Sequence, residues 1–187
     1  MTKPIALFDT ECYPNYWMFG AKDKQTGRYK HIIIEDGESL SDAQADLMRR
    51  IFDYYTMISF NGKGYDIPVI IGAMLHKMST YKLKALNDAI IVDQMKPWQL
   101  GLKRWYPPDH IDIMEVLPGA GGLKKYAGMM HCRKMQDLPY DPGKELDALE
   151  KLEVGAYNIN DLDVLDEAHS EVIEAIELRE HLNEKYY

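Results

Sequence analysis

The sequence predicts an α/β domain with a central mixed sheet of five strands and helices on its flanks. Three observations favour this fold class. Residues 4–34 alternate apolar runs with turn-rich segments, which is typical of an antiparallel meander. Residues 42–77 pass from helical spacing to a short apolar run and back, which predicts a crossover connection and parallel pairing. The 187 residues, 46% of them apolar, are enough for one large core, so we expect a single domain over residues 1–187.

Each element follows from its local pattern. Apolar runs bounded by turn residues predict strands over 4–9, 14–20, 28–34, 57–60 and 110–114. Helical spacing predicts helices over about 42–55, 68–77, 123–130 and 157–181. The first helix follows Ser41-x-x-Gln44, which has the form of a capping box. Residues 97–108 and 137–143 are the longest segments without a regular pattern.

Composition excludes several classes of protein. No apolar run approaches the roughly 20 residues that span a bilayer, so we expect no membrane partner. Met1-Thr2-Lys3-Pro4 leads directly into a strand without the apolar region of a signal peptide, which predicts a cytoplasmic location. Cys12 and Cys132 lie far apart without a CxxC spacing, which argues against a zinc site and a disulfide scaffold. We interpret both as buried or partly buried thiols.

The net charge of −8 is distributed unevenly along the chain. Residues 76–134 carry ten basic and five acidic side chains, whereas residues 135–187 carry four basic and fifteen acidic ones. The cations of the middle segment alternate with Tyr81, Trp98, Trp105, Tyr106 and Tyr126. Such a mixture suits a polyanion with stackable bases, although lysines also solvate helix faces. The ten cations are Lys77, Lys82, Lys84, Lys96, Lys103, Arg104, Lys124, Lys125, Arg133 and Lys134.

Two carboxylates follow the first apolar run, in the stretch ALFDTECY. In an extended chain, side chains at i and i+2 point to the same face, so Asp9 and Glu11 are expected to project together. A second D-x-E pattern, at Asp36 and Glu38, surrounds a glycine in a turn. Only the first pair belongs to a buried strand, where charge is costly unless it is compensated. Two like charges at that spacing indicate a cation site.

Asp66 is a third candidate ligand, since it follows the strand at 57–60 in the stretch NGKGYD. Loops after the strands of α/β folds commonly carry functional residues. The alternative is that Asp66 caps the helix that begins near Pro68.

Tyr157 and Asp161 lie at i and i+4, hence on one face of the predicted last helix, which is otherwise apolar. An acid on that face needs a partner. The alternative is a hydrogen bond between the two side chains at the start of the helix.

The three patterns together resemble the exonuclease motifs of the DEDD superfamily. They are D-x-E on the first strand, N-x-x-x-Y-D after a later strand and Y-x-x-x-D on the last helix. The resemblance extends over residues 4–180 and includes a further strand with an Asp at Asp112. It implies a DnaQ-like, ribonuclease H-like fold and is greatest to the proofreading domain of family B DNA polymerases.

The resemblance also implies roles for individual residues. It implies that four acids bind metal: Asp9, Glu11, Asp66 and Asp161. Tyr157 would orient the attacking water, and Thr10, Asn61 and Tyr65 would contact the substrate. The alternative for Asn61 is a purely local role, since asparagine before glycine also suits a turn. A tyrosine four residues before Asp161, with Ala156 where other members carry histidine, implies the Tyr subtype. We interpret His169 as a surface or packing residue.

The function implied is that of a 3′-5′ exonuclease that releases nucleoside 5′-monophosphates from the 3′ end of single-stranded nucleic acid. Four carboxylates without His or Cys suit two Mg²⁺ or Mn²⁺ ions. DNA is the expected substrate, a polymerase acting in trans is a possible partner, and proofreading is the expected process. The alternatives are an exoribonuclease and a binding module or polymerase-associated subunit in which catalysis is incidental.

Overall fold

A computed structural model describes residues 3–117, 121–132 and 136–186. It confirms the predicted fold class, an α/β domain in which helices flank a mixed five-stranded sheet, consistent with a ribonuclease H-like fold. Four residues that the sequence analysis names lie outside the described residues: Met1, Thr2, Arg133 and Lys134. Among the described residues, no helix is long and apolar enough to cross a membrane.

The sheet has the strand order β3-β2-β1-β4-β5. Neighbouring strands pair antiparallel from β1 to β2 and from β2 to β3, and parallel from β1 to β4 and from β4 to β5. The meander and the crossover are therefore both confirmed. The strands are β1 (Ile5–Tyr13), β2 (Tyr16–Asp23), β3 (Tyr29–Glu35), β4 (Thr56–Ser59) and β5 (His110–Asp112).

Five α-helices surround the sheet, and the capping box at Ser41 is present at the start of the first. They are α1 (Asp42–Tyr54), α2 (Asp66–Leu75), α3 (Thr80–Ile91), α4 (Leu123–Met129) and α5 (Ala148–Tyr186). Short 3-10 turns cover Pro97–Gln99 and Ile113–Glu115. Most of 97–108 and all of 137–143 are irregular, as expected.

Helix α3 was not among the predicted elements. Its core contacts come from Leu83, Leu86 and Ile90, which recur at the three- and four-residue spacing of a helix and are buried in the main core. Ser79 occupies the N-cap position. The pattern for a helix was thus present in the sequence, but the lysines between the apolar positions obscured it.

Helix α5 begins at Ala148, well before the predicted start at Tyr157. Asp147 Oδ1 accepts hydrogen bonds from the backbone N–H groups of Leu149 and Glu150, and Glu150 Oε2 accepts one from the N–H of Asp147. This reciprocal arrangement is a capping box. Because the helix has already turned twice before Tyr157, Tyr157 and Asp161 lie inside the helix and not at its start.

Strand β1 continues through both acids to Tyr13, whereas the prediction ended it at Asp9. A tight hairpin connects it to β2, and the register places Asp9 opposite Gly20 and Glu11 opposite Met18. The pairing with β2 supplies the backbone hydrogen bonds that keep the strand extended beyond the apolar run. Asp9 and Glu11 consequently occupy the interior of a strand.

The two faces of the sheet carry separate cores. Phe8 and its neighbours on one face pack against α1, α2 and α3, whereas Leu7 on the other face packs against α4 and α5. Because side chains alternate along a strand, Asp9 and Glu11 share the face of Leu7, and Thr10 shares the face of Phe8. The residues of β1 therefore reach both helical layers. Neither cysteine is in a disulfide, with Cys12 buried and Cys132 half-buried, as interpreted.

Candidate active site

Three of the predicted ligands converge where α5 crosses β1. Asp9, Glu11 and Asp161 each offer one carboxylate oxygen, and these three oxygens all lie within 4.8 Å of one another. Glu11 is buried, while Asp9 and Asp161 are half-buried. Among the described residues this is the group of acidic side chains arranged to hold a metal ion.

Asp66 approaches the same site from the other helical layer. It is the first residue of α2, and its Oδ1 accepts hydrogen bonds from the backbone N–H of Thr10 (3.1 Å) and the hydroxyl of Thr10 (2.7 Å). Its carboxylate therefore does not act as the helix cap that the sequence left open. Burial and, after it, the negative charge of Asp66 raise the pKa of Asp9, but the carboxylate of Asp66 is not one of the three that lie within 4.8 Å of one another.

Thr10 is held between these acids and is almost fully buried, with 4% of its surface exposed. Its hydroxyl proton points at Asp66, so in this structure it positions a candidate ligand. Its contact with substrate stays a prediction.

Asn158 is a site residue that the sequence interpretation missed. Its side chain is fully buried, and Nδ2 donates hydrogen bonds to Oδ2 of Asp9 (3.0 Å) and to Oε1 of Glu11 (3.4 Å). Gly20, opposite Asp9 on β2, leaves room for this amide: a Cβ atom there would lie 1.8 Å from Oδ1 of Asn158. The sequence did contain a signal for Asn158: it is a polar residue directly after Tyr157, beside the helix face that carries Tyr157 and Asp161.

The electrostatics of the site are those of crowded, poorly hydrated carboxylates. Burial raises the pKa of Glu11 to about 8, with a further contribution from Asp161. Burial also raises the pKa of Asp66 to about 7, against the lowering effect of the bonds from Thr10. The pKa of Asp9 lies well above its usual range because of burial and the charges of Asp66, Glu11 and Asp161. Such a site favours bound cations, which remove the repulsion.

Tyr157 lies beside Asp161, as the spacing predicts. Burial, together with the charge and hydrogen bonding of Asp161, raises the pKa of the phenol. Burial also raises the pKa of Asp161, while Tyr157 and Lys124 lower it. Lys124 of α4 places its ammonium 5.0 Å from the centre of the Tyr157 ring. The sequence interpretation counted Lys124 only as part of a basic segment.

The loop before α2 carries the other two predicted substrate contacts. Asn61 is exposed with φ of 60°, a left-handed conformation that asparagine tolerates, and its side chain is open to solvent. Tyr65 is half-buried and donates its hydroxyl proton to Oδ1 of Asn87 (2.6 Å). The buried Asp112 of β5 accepts backbone N–H bonds from Asn61 (2.8 Å) and Lys63 (3.1 Å), which fixes the loop.

His169 is buried, with 2% of its surface exposed, and lies in α5 two turns beyond Asp161. The packing interpretation is therefore correct and the surface interpretation is wrong. The second D-x-E pattern lies in a turn, where Asp36 and Gly37 both have positive φ.

The donor set fits hard divalent cations. All four candidate ligands are carboxylates, with no thiolate or imidazole ligand among the described residues of the cluster. Mg²⁺ and Mn²⁺ prefer such oxygen donors.

The middle of the chain matches a known protein family. Residues 19–148 match a family described as a predicted 3′-5′ exonuclease related to the exonuclease domain of PolB. The matched segment includes Asn61, Tyr65 and Asp66, whereas the acids of β1 and α5 lie on either side of it. No curated protein and no solved structure matches the chain significantly. Because the match extends over more than half of the sequence, the chain belongs to this family of predicted 3′-5′ exonucleases related to the PolB exonuclease domain.

Proposed function

We propose that the protein is a metal-dependent 3′-5′ exonuclease of the DEDD superfamily, Tyr subtype, acting on single-stranded DNA. The observation that carries the proposal is the convergence of Asp9, Glu11 and Asp161 within 4.8 Å, on the two sides of the segment that matches the exonuclease family. A protein that only bound nucleic acid would gain nothing from buried acids that repel one another and its ligand.

Asp9, Glu11, Asp66 and Asp161 would hold two divalent cations. When bound, such ions stabilise the attacking and leaving oxygens of a phosphodiester. The amide of Asn158 orients Asp9 and Glu11, and Thr10 orients Asp66. These contacts hold the carboxylates in place before any cation arrives, which reduces the conformational cost of binding.

Tyr157 would position the water that attacks the terminal phosphodiester. Its raised pKa means that the phenol keeps its proton throughout the neutral range, so it cannot act as the base. The hydroxyl can hold a water by hydrogen bonding, and Asp161 fixes its direction. The products would be nucleoside 5′-monophosphates, released one at a time from the 3′ end.

A labelling experiment tests the proposal. DNA and RNA oligonucleotides labelled at the 3′ or the 5′ end are incubated with Mg²⁺, with Mn²⁺ and with EDTA. We expect ladders that shorten from the 3′ end of single-stranded DNA, no cleavage in EDTA, and resistance of circular single strands. Preferential digestion of RNA would assign the exoribonuclease alternative, and efficient cutting of circles would indicate an endonuclease.

Asp161→Ala should abolish cleavage, whereas Glu174→Ala, which removes an exposed acid elsewhere on α5, should not. Undiminished cleavage by Asp161→Ala would exclude the proposed metal site.

A further inference from the structure

A groove of about 270 Å³ lies between the start of α2 and the irregular segment 96–106. We call it the aromatic groove, and its polar and aromatic walls are formed by Lys63, Trp98, Lys103, Arg104, Trp105 and Tyr106. Ile67 and Pro68, which directly follow Asp66 in the chain, line its other side. The groove therefore adjoins the loop and helix that carry the candidate ligand Asp66.

Two aromatic side chains of the groove are left in water. Trp98 is 80% exposed and Tyr106 is 75% exposed, whereas Trp17 is fully buried in the core. Trp105, between them in the chain, packs edge-on against Phe52 with ring centres 5.1 Å apart. The segment is thus anchored through Trp105 while it presents two large aromatic side chains to solvent, and both of them line the same groove.

The segment is also anchored through its backbone. The N–H of Lys103 donates a hydrogen bond to Nε2 of His76 at the end of α2 (3.0 Å), and Leu100 and Leu102 pack on the main core. The two exposed rings therefore lie at either end of an anchored stretch, since the contacts at Leu100, Leu102, Lys103 and Trp105 all fall between Trp98 and Tyr106.

The charge of the segment contrasts with that of the protein. Residues 96–106 contain Lys96, Lys103 and Arg104 and no acid, in a chain of net charge −8. Arg104 and Lys96 form no ion pair with the described residues. Lys63 pairs with Glu115 at 2.7 Å, but both side chains are about half exposed, and such surface pairs are weak and can exchange for another anion.

We propose that the aromatic groove binds the single strand that leads to the reacting 3′ end, with bases stacked on Trp98 and Tyr106 and phosphates paired with Lys63, Lys103 and Arg104. This proposal rests on the proposed function for its ligand. Exposed aromatic rings interleaved with cations form the standard surface for single-stranded nucleic acid, since every base has a face that can stack. The acidic cluster itself repels phosphates when it holds no metal, so a separate cationic surface is needed to retain the strand.

Direct binding in EDTA tests the groove without requiring catalysis. The probe is a fluorescein-labelled oligothymidylate of about 12 nucleotides, and its binding to the full chain is measured by fluorescence anisotropy. We expect Trp98→Ala and Tyr106→Ala each to weaken binding by roughly 5- to 100-fold, the range for loss of one stacked base. Trp98→Phe should recover part of the loss, because it restores a stacking face.

Matched controls exist on α1, away from the groove. Tyr54 is 63% exposed and Arg50 is exposed, so Tyr54→Ala and Arg50→Ala should leave binding unchanged. Arg104→Ala should reduce the slope of log K against log salt concentration by about 0.7, the value for one phosphate contact on a single strand. A duplex of the same length should bind more weakly, because its bases are already stacked.

The outcomes separate the two proposals. Equal weakening by Trp98→Ala and Tyr54→Ala, an unchanged salt slope for Arg104→Ala, or preference for duplex would overturn the groove as the binding surface. If the groove variants weaken binding as expected but the wild-type protein does not cleave DNA in Mg²⁺, the groove proposal is supported and only the proposed nuclease function is rejected. Melting temperatures of all variants guard against loss of fold, and Trp98→Phe provides a second variant should Trp98→Ala be unstable.

Discussion

The amide nitrogen of Asn158 lies 3.0 Å from Oδ2 of Asp9, so a neutral side chain of α5 directs the first acid of β1. The same nitrogen reaches Glu11, and its hydrogen bond lowers the pKa of Glu11 against the effect of burial. Asn158 thus connects the two acids on the strand with the helix that supplies Asp161. Loss of this amide should affect both acids at once.

Asn158→Ala is expected to weaken metal binding by roughly 10- to 100-fold, as for other residues that orient metal ligands. A purely structural role would lower the melting temperature without changing the metal concentration needed for half-maximal effect. The protein is titrated with Mn²⁺, and the melting temperature and, in a separate experiment, the cleavage rate are measured at each concentration. Asn183→Ala, at an exposed asparagine of the same helix, is the control and should match wild type.

Gly20→Ala is expected to destabilise the protein by about 1 to 3 kcal/mol, the range for overpacking a core. The added Cβ would lie 1.8 Å from Oδ1 of Asn158, and both groups are fixed, one in a central strand and one in a helix. Chemical denaturation measures the change. Gly155→Ala, where a Cβ meets nothing within 4 Å, should be neutral or stabilising.

A double-mutant cycle identifies the contact. If the clash with Asn158 causes the loss, Gly20→Ala should cost much less stability in the background of Asn158→Ala. Additive effects of the two substitutions would contradict this explanation.

Tyr157→Phe is expected to slow cleavage by roughly 10- to 1000-fold, because one positioning contact is removed while the metal ligands remain. Binding of metal and substrate should change little. Single-turnover rates and melting temperatures of the Phe and Ala variants provide the measurement. Normal rates together with a lowered melting temperature for Tyr157→Ala would show that the residue only packs.

The stability of the metal-free protein should fall as the pH rises from about 4 to about 8. Unfolded carboxyl groups titrate near pH 4, whereas Glu11 and Asp66 in the folded protein have raised pKa values of about 8 and about 7. Between these limits the folded state binds more protons than the unfolded state, so each pH unit removes stability. Burial lowers the pKa of His110 to about 4, and this group acts in the opposite direction.

Comparison of wild type with Glu11→Gln separates the contribution of Glu11 to the pH dependence of stability from that of His110. In EDTA at pH 8.5 this variant should melt several degrees above wild type, by roughly 3 to 8 °C, and the difference should shrink toward pH 5. Added Mg²⁺ should raise the melting temperature of wild type more than that of the variant. A difference that is constant across this pH range would contradict the raised pKa of Glu11.

Local patterns predict most of the sheet, the common face of Asp9 and Glu11 and the common face of Tyr157 and Asp161, because strand alternation and i, i+4 spacing are local properties. That these acids belong to one site was implied only by the resemblance to the DEDD motifs. They could not predict that Thr10 donates to Asp66, since this contact joins residues 56 positions apart across two layers. The start of α5 was predicted too late because Gly155 interrupts the helical pattern, although Asp147 and Glu150 form a capping box ahead of it. The role of Asn158 was not predicted because it depends on Gly20, and only the register of the sheet brings these two residues together.

The position of α5 at the end of the fold has a consequence for biosynthesis. All five strands precede residue 113, so the sheet can pair while the last helix is still inside the ribosome. The carboxylates of β1 then lack both Asp161 and the amide of Asn158, whose contact with Asp9 spans 149 positions. A nascent chain is therefore unable to assemble the acidic cluster until α5 docks, so any activity that depends on this cluster begins only after residues 148–186 have been translated.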